Sequence, residues 1–210
     1  MTSNVKLVVG LGNPGSRYQP TRHNAGVWFV ERLARVYDGQ FRHHSKFNGD
    51  VAEIIIGTHP LKLLRPDTFM NDSGRCVGPF AHFYKIPAEE ILVAYDELDL
   101  DPGVIKLRRG GGGSHNGIRD VIKVVGRDFL RLRIGIGHPG HKSQVTNYVL
   151  GRANQTDQDE MDDAVEDAVR MMPRLFDEGE ERARTWLHSR KAAAKPYKKP
   201  TGDATGGGQE

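Results

Sequence analysis

Cysteine is nearly absent: Cys76 is the only one in 210 residues. That excludes an internal disulfide and suits a reducing compartment. Long apolar runs are missing too. None approaches the ~20 residues that cross a bilayer, and "MTSNVKLVVG" passes into a strand-like segment without a cleavable leader pattern. The expectation is a cytoplasmic protein with no membrane partner. Metal-binding spacings are scarce. There is no His-Glu-x-x-His, and His138 and His141 enclose Pro139-Gly140, a turn unsuited to holding two ligands on one helical face. The acids Asp96, Glu97, Asp99 and Asp101 of "DELDLDP" at a strand terminus could gather Mg²⁺ or Ca²⁺, but they match no calcium-loop template. No Gly-x-Ser-x-Gly elbow exists either, because Asn116 stands where the second glycine would follow Ser114.

What is present is ordinary for a folded domain: 37% hydrophobic and 27% charged residues. Strand-like runs occur at "KLVVGL", "VAEIII", "LKLLR", "ILVAYDEL", "VIKLRR" and "LRLRIGIG". Between them, apolar residues recur at helical spacing. In 24–37 these are Val27, Val30, Leu33, Ala34 and Tyr37. In 73–85, after a capping Asp72 or Ser73, they are Cys76, Val77, Phe80, Phe83 and Tyr84, and in 116–125 they are Ile118, Val121, Ile122 and Val125. Interleaved strands and helices predict a single α/β domain around a mixed, partly parallel twisted sheet flanked by helices. After residue 150 the pattern is helical, with a kink or break expected at Pro173 and anchors at Trp186 and Leu187. The domain is expected over 1–192. The basic, Gly/Pro/Lys-rich stretch 193–210 has too few apolar residues to order and is expected to be a flexible tail.

The net charge of +3 equals that of residues 190–210, where Arg190, Lys191, Lys195, Lys198 and Lys199 oppose Asp203 and Glu210. The body is therefore neutral but segregated. Residues 104–133 hold eight Lys/Arg against Asp120 and Asp128, while 155–181 hold eleven acids against Arg170 and Arg174. Such segregation suits either two solvated faces or a polyanion held on one side.

Gly10, Gly12 and Gly15 in "VVGLGNPGSRYQP" spell the dinucleotide-binding Gly-x-Gly-x-x-Gly. The helix that should begin at the third glycine is not written there, because Pro20 would interrupt it and bias Gln19 toward extended geometry. A glycine-built turn that presents Asn13 is what remains. "TRHNAG" sets His23 just before a helix start, "TFMNDSG" sets Phe69, Met70 and Asn71 after a strand, and "GGGGSHNG" leads a mobile glycine loop into Ser114, His115 and Asn116. Asp96 ends a strand, where it serves either a cation or an imidazole that needs orienting. Loops at strand ends of α/β sheets converge on one edge.

Taken in order, "VVGLGNPGSRYQPTRHNAG", "TFMNDSG", "ILVAYDELDLDPG", "GGGGSHNG" and "RLRIGIGHPG" resemble the bacterial peptidyl-tRNA hydrolase family, from about Lys6 to about His188. One departure is that the family's Gly-Gly pair before His-Asn-Gly is replaced: the loop is one residue shorter and Ser114 precedes His115. The resemblance implies a monomeric α/β enzyme, without metal, cofactor or obligate protein partner. Its reaction cleaves the ester between a peptide, or an N-blocked aminoacyl group, and the 3′-terminal ribose of tRNA. It implies His23 as general base, Asp96 as the acid steadying it, and Asn13 as a contact near the scissile ester. Tyr18, Phe69, Asn71 and Asn116 are implied to line the site, Met70 and His115 to neighbour them, and Arg108 and Arg133 to clamp tRNA phosphate.

Overall fold

The computed structural model describes residues 3–193, with side chains to Arg190; the expected tail lies outside the described residues. Seven strands form one sheet in the order β2-β3-β4-β1-β5-β7-β6. These are β1 (Leu7–Gly10), β2 (Arg42–His44), β3 (Gly49–Ile56), β4 (His59–Pro66), β5 (Ile91–Glu97), β6 (Ile105–Arg109) and β7 (Leu130–Gly135). The centre, β4-β1-β5-β7, is parallel, and β2, β3 and β6 run antiparallel at the flanks. The helices are α1 (Ala25–Val36), α2 (Gly74–Phe83), α3 (Asn116–Val125), α4 (Val145–Val149), α5 (Gln155–Asp177) and α6 (Glu180–Ala193).

Strand alternation divides the interior in two. Val8, Leu92 and Ala94 face a core completed by Phe29, Val30 and Leu33 of α1 and by Met161, Met172 and Phe176 of α5. Leu7, Val9, Ile91, Val93 and Tyr95 face the opposite core, closed by Val77 and Phe80 of α2 and Ile118 and Val121 of α3. Every central strand is thus covered on both faces, as a parallel sheet requires.

Two local expectations need correcting, and one strand was not foreseen. Pro173 does not break its helix: α5 runs through it to Asp177, with Met172, Leu175 and Phe176 buried on both sides of it. The apolar stripe of α2 does not stay buried, since Phe83 and Tyr84 are exposed at its end. β2 had no signature at all, because Arg42, His43 and His44 are exposed and polar; besides its backbone pairing with β3, His43 Nδ1 lies 2.9 Å from Asp50 Oδ1 across the ladder.

Two glycines set how closely α1 approaches the sheet. A Cβ on Gly26 would lie 2.2 Å from the Ala94 carbonyl oxygen, and one on Gly10 would lie 2.4 Å from that of Gly26. The start of α1 therefore rests directly on β1 and β5, which carries His23 to the end of β5.

Candidate active site

Because β1 lies between β4 and β5, the chain leaves β1 toward one side of the sheet and returns on the other. The loops after β1, β4 and β5 open at that switch point, where α/β sheets hold ligands. They border a cleft of about 820 Å³ whose lining includes Asn13, Tyr18, His23, Phe69, Met70, Asn71, Asp96, His115 and Asn116. Nine of the eleven residues singled out in the sequence are therefore together. Arg108 and Arg133 are not in it. They line an adjoining recess of about 190 Å³ that shares Glu97, Asp99, Ser114 and His115 with the cleft.

Asp96 is the centre of the arrangement. It is 2% exposed at the end of β5. His23 Nδ1 lies 2.9 and 3.0 Å from its two carboxylate oxygens, and His115 Nε2 lies 2.8 Å from Oδ1. His115 also caps α3, its Nδ1 accepting the Ile118 N–H at 3.3 Å. A nitrogen that accepts carries no proton, so His115 presents Nε2–H to Asp96. An ionised Asp96 only accepts, so His23 presents Nδ1–H and keeps its Nε2 lone pair for the cleft. Burial alone would raise the Asp96 pKa, but the facing His115 and His23 outweigh it and hold the carboxyl well below the usual range. Burial pushes His23 down from 6.5, whereas the Asp96 charge and hydrogen bond push it up, and the balance is a raised value.

Donor atoms of His23, Asp96 and His115 lie within 4.8 Å of one another, a grouping of metal-ligand type. Here both imidazole nitrogens nearest the carboxylate already face it as donors, so the chemistry of the set is that of proton positioning. Cys76 is no rival nucleophile, being buried on the inner face of α2 with its thiol pushed up to about 12, chiefly by burial.

Asn13 is fixed on both sides. Its backbone N–H donates to Asn24 Oδ1 at 2.9 Å, its carbonyl accepts from Asn24 Nδ2 at 3.0 Å, and its Oδ1 accepts the Met70 N–H at 2.8 Å. A backbone N–H can only donate, so the Asn13 amide has one orientation, and its Nδ2–H₂ has no partner among the described residues. Asn24, which sequence alone reads as a helix cap, makes no capping bond. It is 3% exposed and occupies the space that Gly12 leaves open, where a Cβ would lie 2.8 Å from the Asn24 side chain. No local pattern could reveal that role.

Phe69 is 55% exposed and meets Tyr18 edge to face, with ring centroids 6.2 Å apart. Asn71 is exposed at the cleft, and Asn116 accepts a hydrogen bond from Arg119, a cleft residue that the sequence reading passed over. Leu98, Val145, Thr146 and Val149 also line the cleft without having been foreseen. Arg22, beside His23, reaches across to the carbonyls of Tyr148 and Arg152 at 3.2 and 2.8 Å, tying α4 to the histidine turn. The basic stretch 104–133 is not one patch. Arg109 pairs with Glu180, Arg133 with Glu97 at 2.9 Å, Lys123 with Asp120, and Arg131 is buried.

An α/β sheet with a carboxylate-steadied imidazole and a free amide donor at its switch point carries the groups with which a hydrolase activates water and meets an oxyanion. A family model described as peptidyl-tRNA hydrolase matches residues 7–195. The chain is 54% identical over 193 residues to the peptidyl-tRNA hydrolase of Shewanella halifaxensis, covering 90% of this chain and 100% of that one. It is 51% identical over 190 residues to that of Pseudoalteromonas translucida, covering 89% and 98%. The crystal structure of the Acinetobacter baumannii peptidyl-tRNA hydrolase superposes with a TM-score of 0.86 at 48% identity, covering 90% of this chain and 97% of that one. The chain belongs to the peptidyl-tRNA hydrolase family. Among the described residues no helix is long and apolar enough to cross a membrane.

Proposed function

We propose that this chain cleaves the ester joining a peptide, or an N-blocked aminoacyl group, to the 3′-terminal ribose of tRNA, with His23 as general base. The observation that carries this is the contact of His23 Nδ1 with buried Asp96, which leaves Nε2 as the accepting nitrogen. A water at Nε2 loses its proton as it attacks the ester carbonyl, and Asp96 stabilises the imidazolium that forms. The Asn13 Nδ2–H₂, pre-set by Met70 N–H, donates to the oxygen on which negative charge develops. Asn71 is the weaker candidate for that donor, because none of its side-chain hydrogen bonds fixes it. Exposed Phe69, with Tyr18, offers a face for the terminal base, and Asn71 and Asn116 offer neutral hydrogen bonds for ribose or peptide.

Arg108 and Arg133 in the adjoining recess take tRNA phosphate, a contact that positions without reading sequence. Action as a monomer in the cytoplasm belongs to the same reading, and the unpaired, buried Cys76 suits a reducing compartment. The test is His23→Ala with N-acetyl-aminoacyl-tRNA. Turnover should fall by about 10²–10⁴-fold while affinity for uncharged tRNA is retained. Hydrolysis at the wild-type rate by that variant rules out His23 as the base.

A further inference from the structure

Arg131 is the buried charge that the chemistry above does not use. It sits within β7 in the wall of the recess that Arg108 and Arg133 also line, but is only 2% exposed, and no carboxylate pairs with it among the described residues. Burial pulls its pKa below the ordinary value, Tyr95 opposes that, and the flanking cations Arg108 and Arg133 add to it. A guanidinium in that setting needs acceptors, and it has two. Nη1 donates to the Gly112 carbonyl at 2.6 Å, and Nη2 donates to the Gly111 carbonyl. Its plane lies over the Phe129 ring, 4.9 Å from the centroid, and its Nε is buried without a partner. Both arms of the fork are therefore given to the glycine loop.

Residues 110–113 of that loop, all glycine, have no side chains with which to hold themselves. Gly110 and Gly111 take φ of 67° and 98°, the left-handed region open to glycine. Only the Gly110 N–H, bonded to the Phe129 carbonyl at 3.1 Å, fixes its start. Its far end is His115, whose Nε2 meets Asp96. From these contacts we infer that Arg131 is a positioning residue for the esterase: it pins loop 110–114, and through it sets His115 against Asp96, without touching tRNA. This rests on the functional reading above and extends it from the residues that meet substrate to one that arranges them.

The experiment compares Arg131→Gln with Arg133→Ala in peptide release and in tRNA affinity across a salt series. Arg131→Gln should lower kcat by about 10–100-fold, as small misplacements in active sites do, and leave KM and the salt slope of tRNA binding unchanged. A slope that falls as it does for Arg133→Ala would make Arg131 a phosphate contact and overturn the inference, and so would an unchanged kcat. Should Arg131→Gln fail to fold, Arg131→Lys keeps charge and burial with one donor head in place of the fork, and should give an intermediate kcat. In the wild-type protein, NMR should find rotation about the Arg131 guanidinium bonds slowed by the two carbonyls. Free rotation would refute the pinning even if peptide release itself had failed, which separates this inference from the functional one.

Discussion

Replacing Asp96 by Asn tests the arrangement more sharply than removing His23, because it changes one acceptor into a donor while keeping the shape. Asp96 receives two N–H groups, His23 Nδ1 at 2.9 Å and His115 Nε2 at 2.8 Å. Both meet Oδ1, while Oδ2 faces His23 Nδ1 alone at 3.0 Å, so an amide that keeps its oxygen at Oδ1 sets NH₂ against His23, and the reverse orientation sets NH₂ against both rings. If it faces His115, that ring must move its proton to Nδ1, against the Ile118 N–H it now accepts. An unpaired buried donor there costs ~1–3 kcal/mol. The cheaper outcome is for His23 to shift its proton to Nε2, the nitrogen that should accept from water. A preference of that size leaves the productive tautomer about 5–150-fold less populated. Losing the carboxylate that stabilises the imidazolium adds to this, so the expected fall in kcat is ~10²–10⁴, the range of general-base catalysis itself. The pH profile gives an independent check. Burial lowers the His23 pKa and Asp96 raises it above 6.5. The acidic limb of wild-type kcat/KM should therefore lie above 6.5, and in Asp96→Asn, with only burial left, it should lie below. The assay is peptide release from N-acetyl-aminoacyl-tRNA between pH 5 and 9. A loss under tenfold, or a limb that stays in place, would refute the reasoning.

The remaining expectations follow from other contacts. Asn13→Asp keeps an oxygen for the Met70 N–H and removes the free donor, so kcat should drop by ~10²–10³ with little change in Tm; an equal loss in Asn71→Asp with Asn13→Asp active would reassign the donor. Arg133→Ala should lower the slope of log affinity against log salt by about one unit or less, less because Glu97, now paired with it at 2.9 Å, is left free. Gly26→Ala sets a Cβ 2.2 Å from the Ala94 carbonyl oxygen, and forcing α1 off the sheet should cost ~3 kcal/mol, read as a fall in denaturation midpoint.

Stability should follow the same pair of groups. His23 is raised, so its contribution is complete below 6.5 and is lost as pH rises through its folded value. Asp96 is lowered, so its contribution is present above the ordinary carboxylate value and is lost as pH falls toward its folded one. The stability difference between wild type and Asp96→Asn should therefore be largest at mildly acidic pH, between those limits, and shrink on both sides. A difference that kept growing into the alkaline range would contradict a His23–Asp96 pair of this kind.

What the sequence made legible was whatever repeats along the chain or clusters within a few residues. The apolar runs became the buried strands β1, β3, β4, β5, β6 and β7, and the helical spacing of Ile118, Val121, Ile122 and Val125 became α3 over the range expected. His23, Asp96, Asn13 and Asn71 stood out because each sits at a strand end or helix start. What stayed hidden depends on approach in three dimensions. Arg42–His44 joins the sheet through backbone pairing and the His43–Asp50 contact across the ladder, neither of which shows in apolar periodicity, and Asn24 holds Asn13 only because Gly12 lacks a side chain. Arg131 was one basic residue among eight until the fold buried it. The glycine loop makes the same point. Four glycines promise mobility, yet the carbonyls of two of them, Gly111 and Gly112, are held by a guanidinium nineteen or twenty residues later in the chain. A backbone bare of side chains can be gripped only through its peptide groups, and a planar fork on a rigid strand is suited to that. Composition therefore describes what this loop can do alone, whereas Arg131 decides what it does in the folded protein.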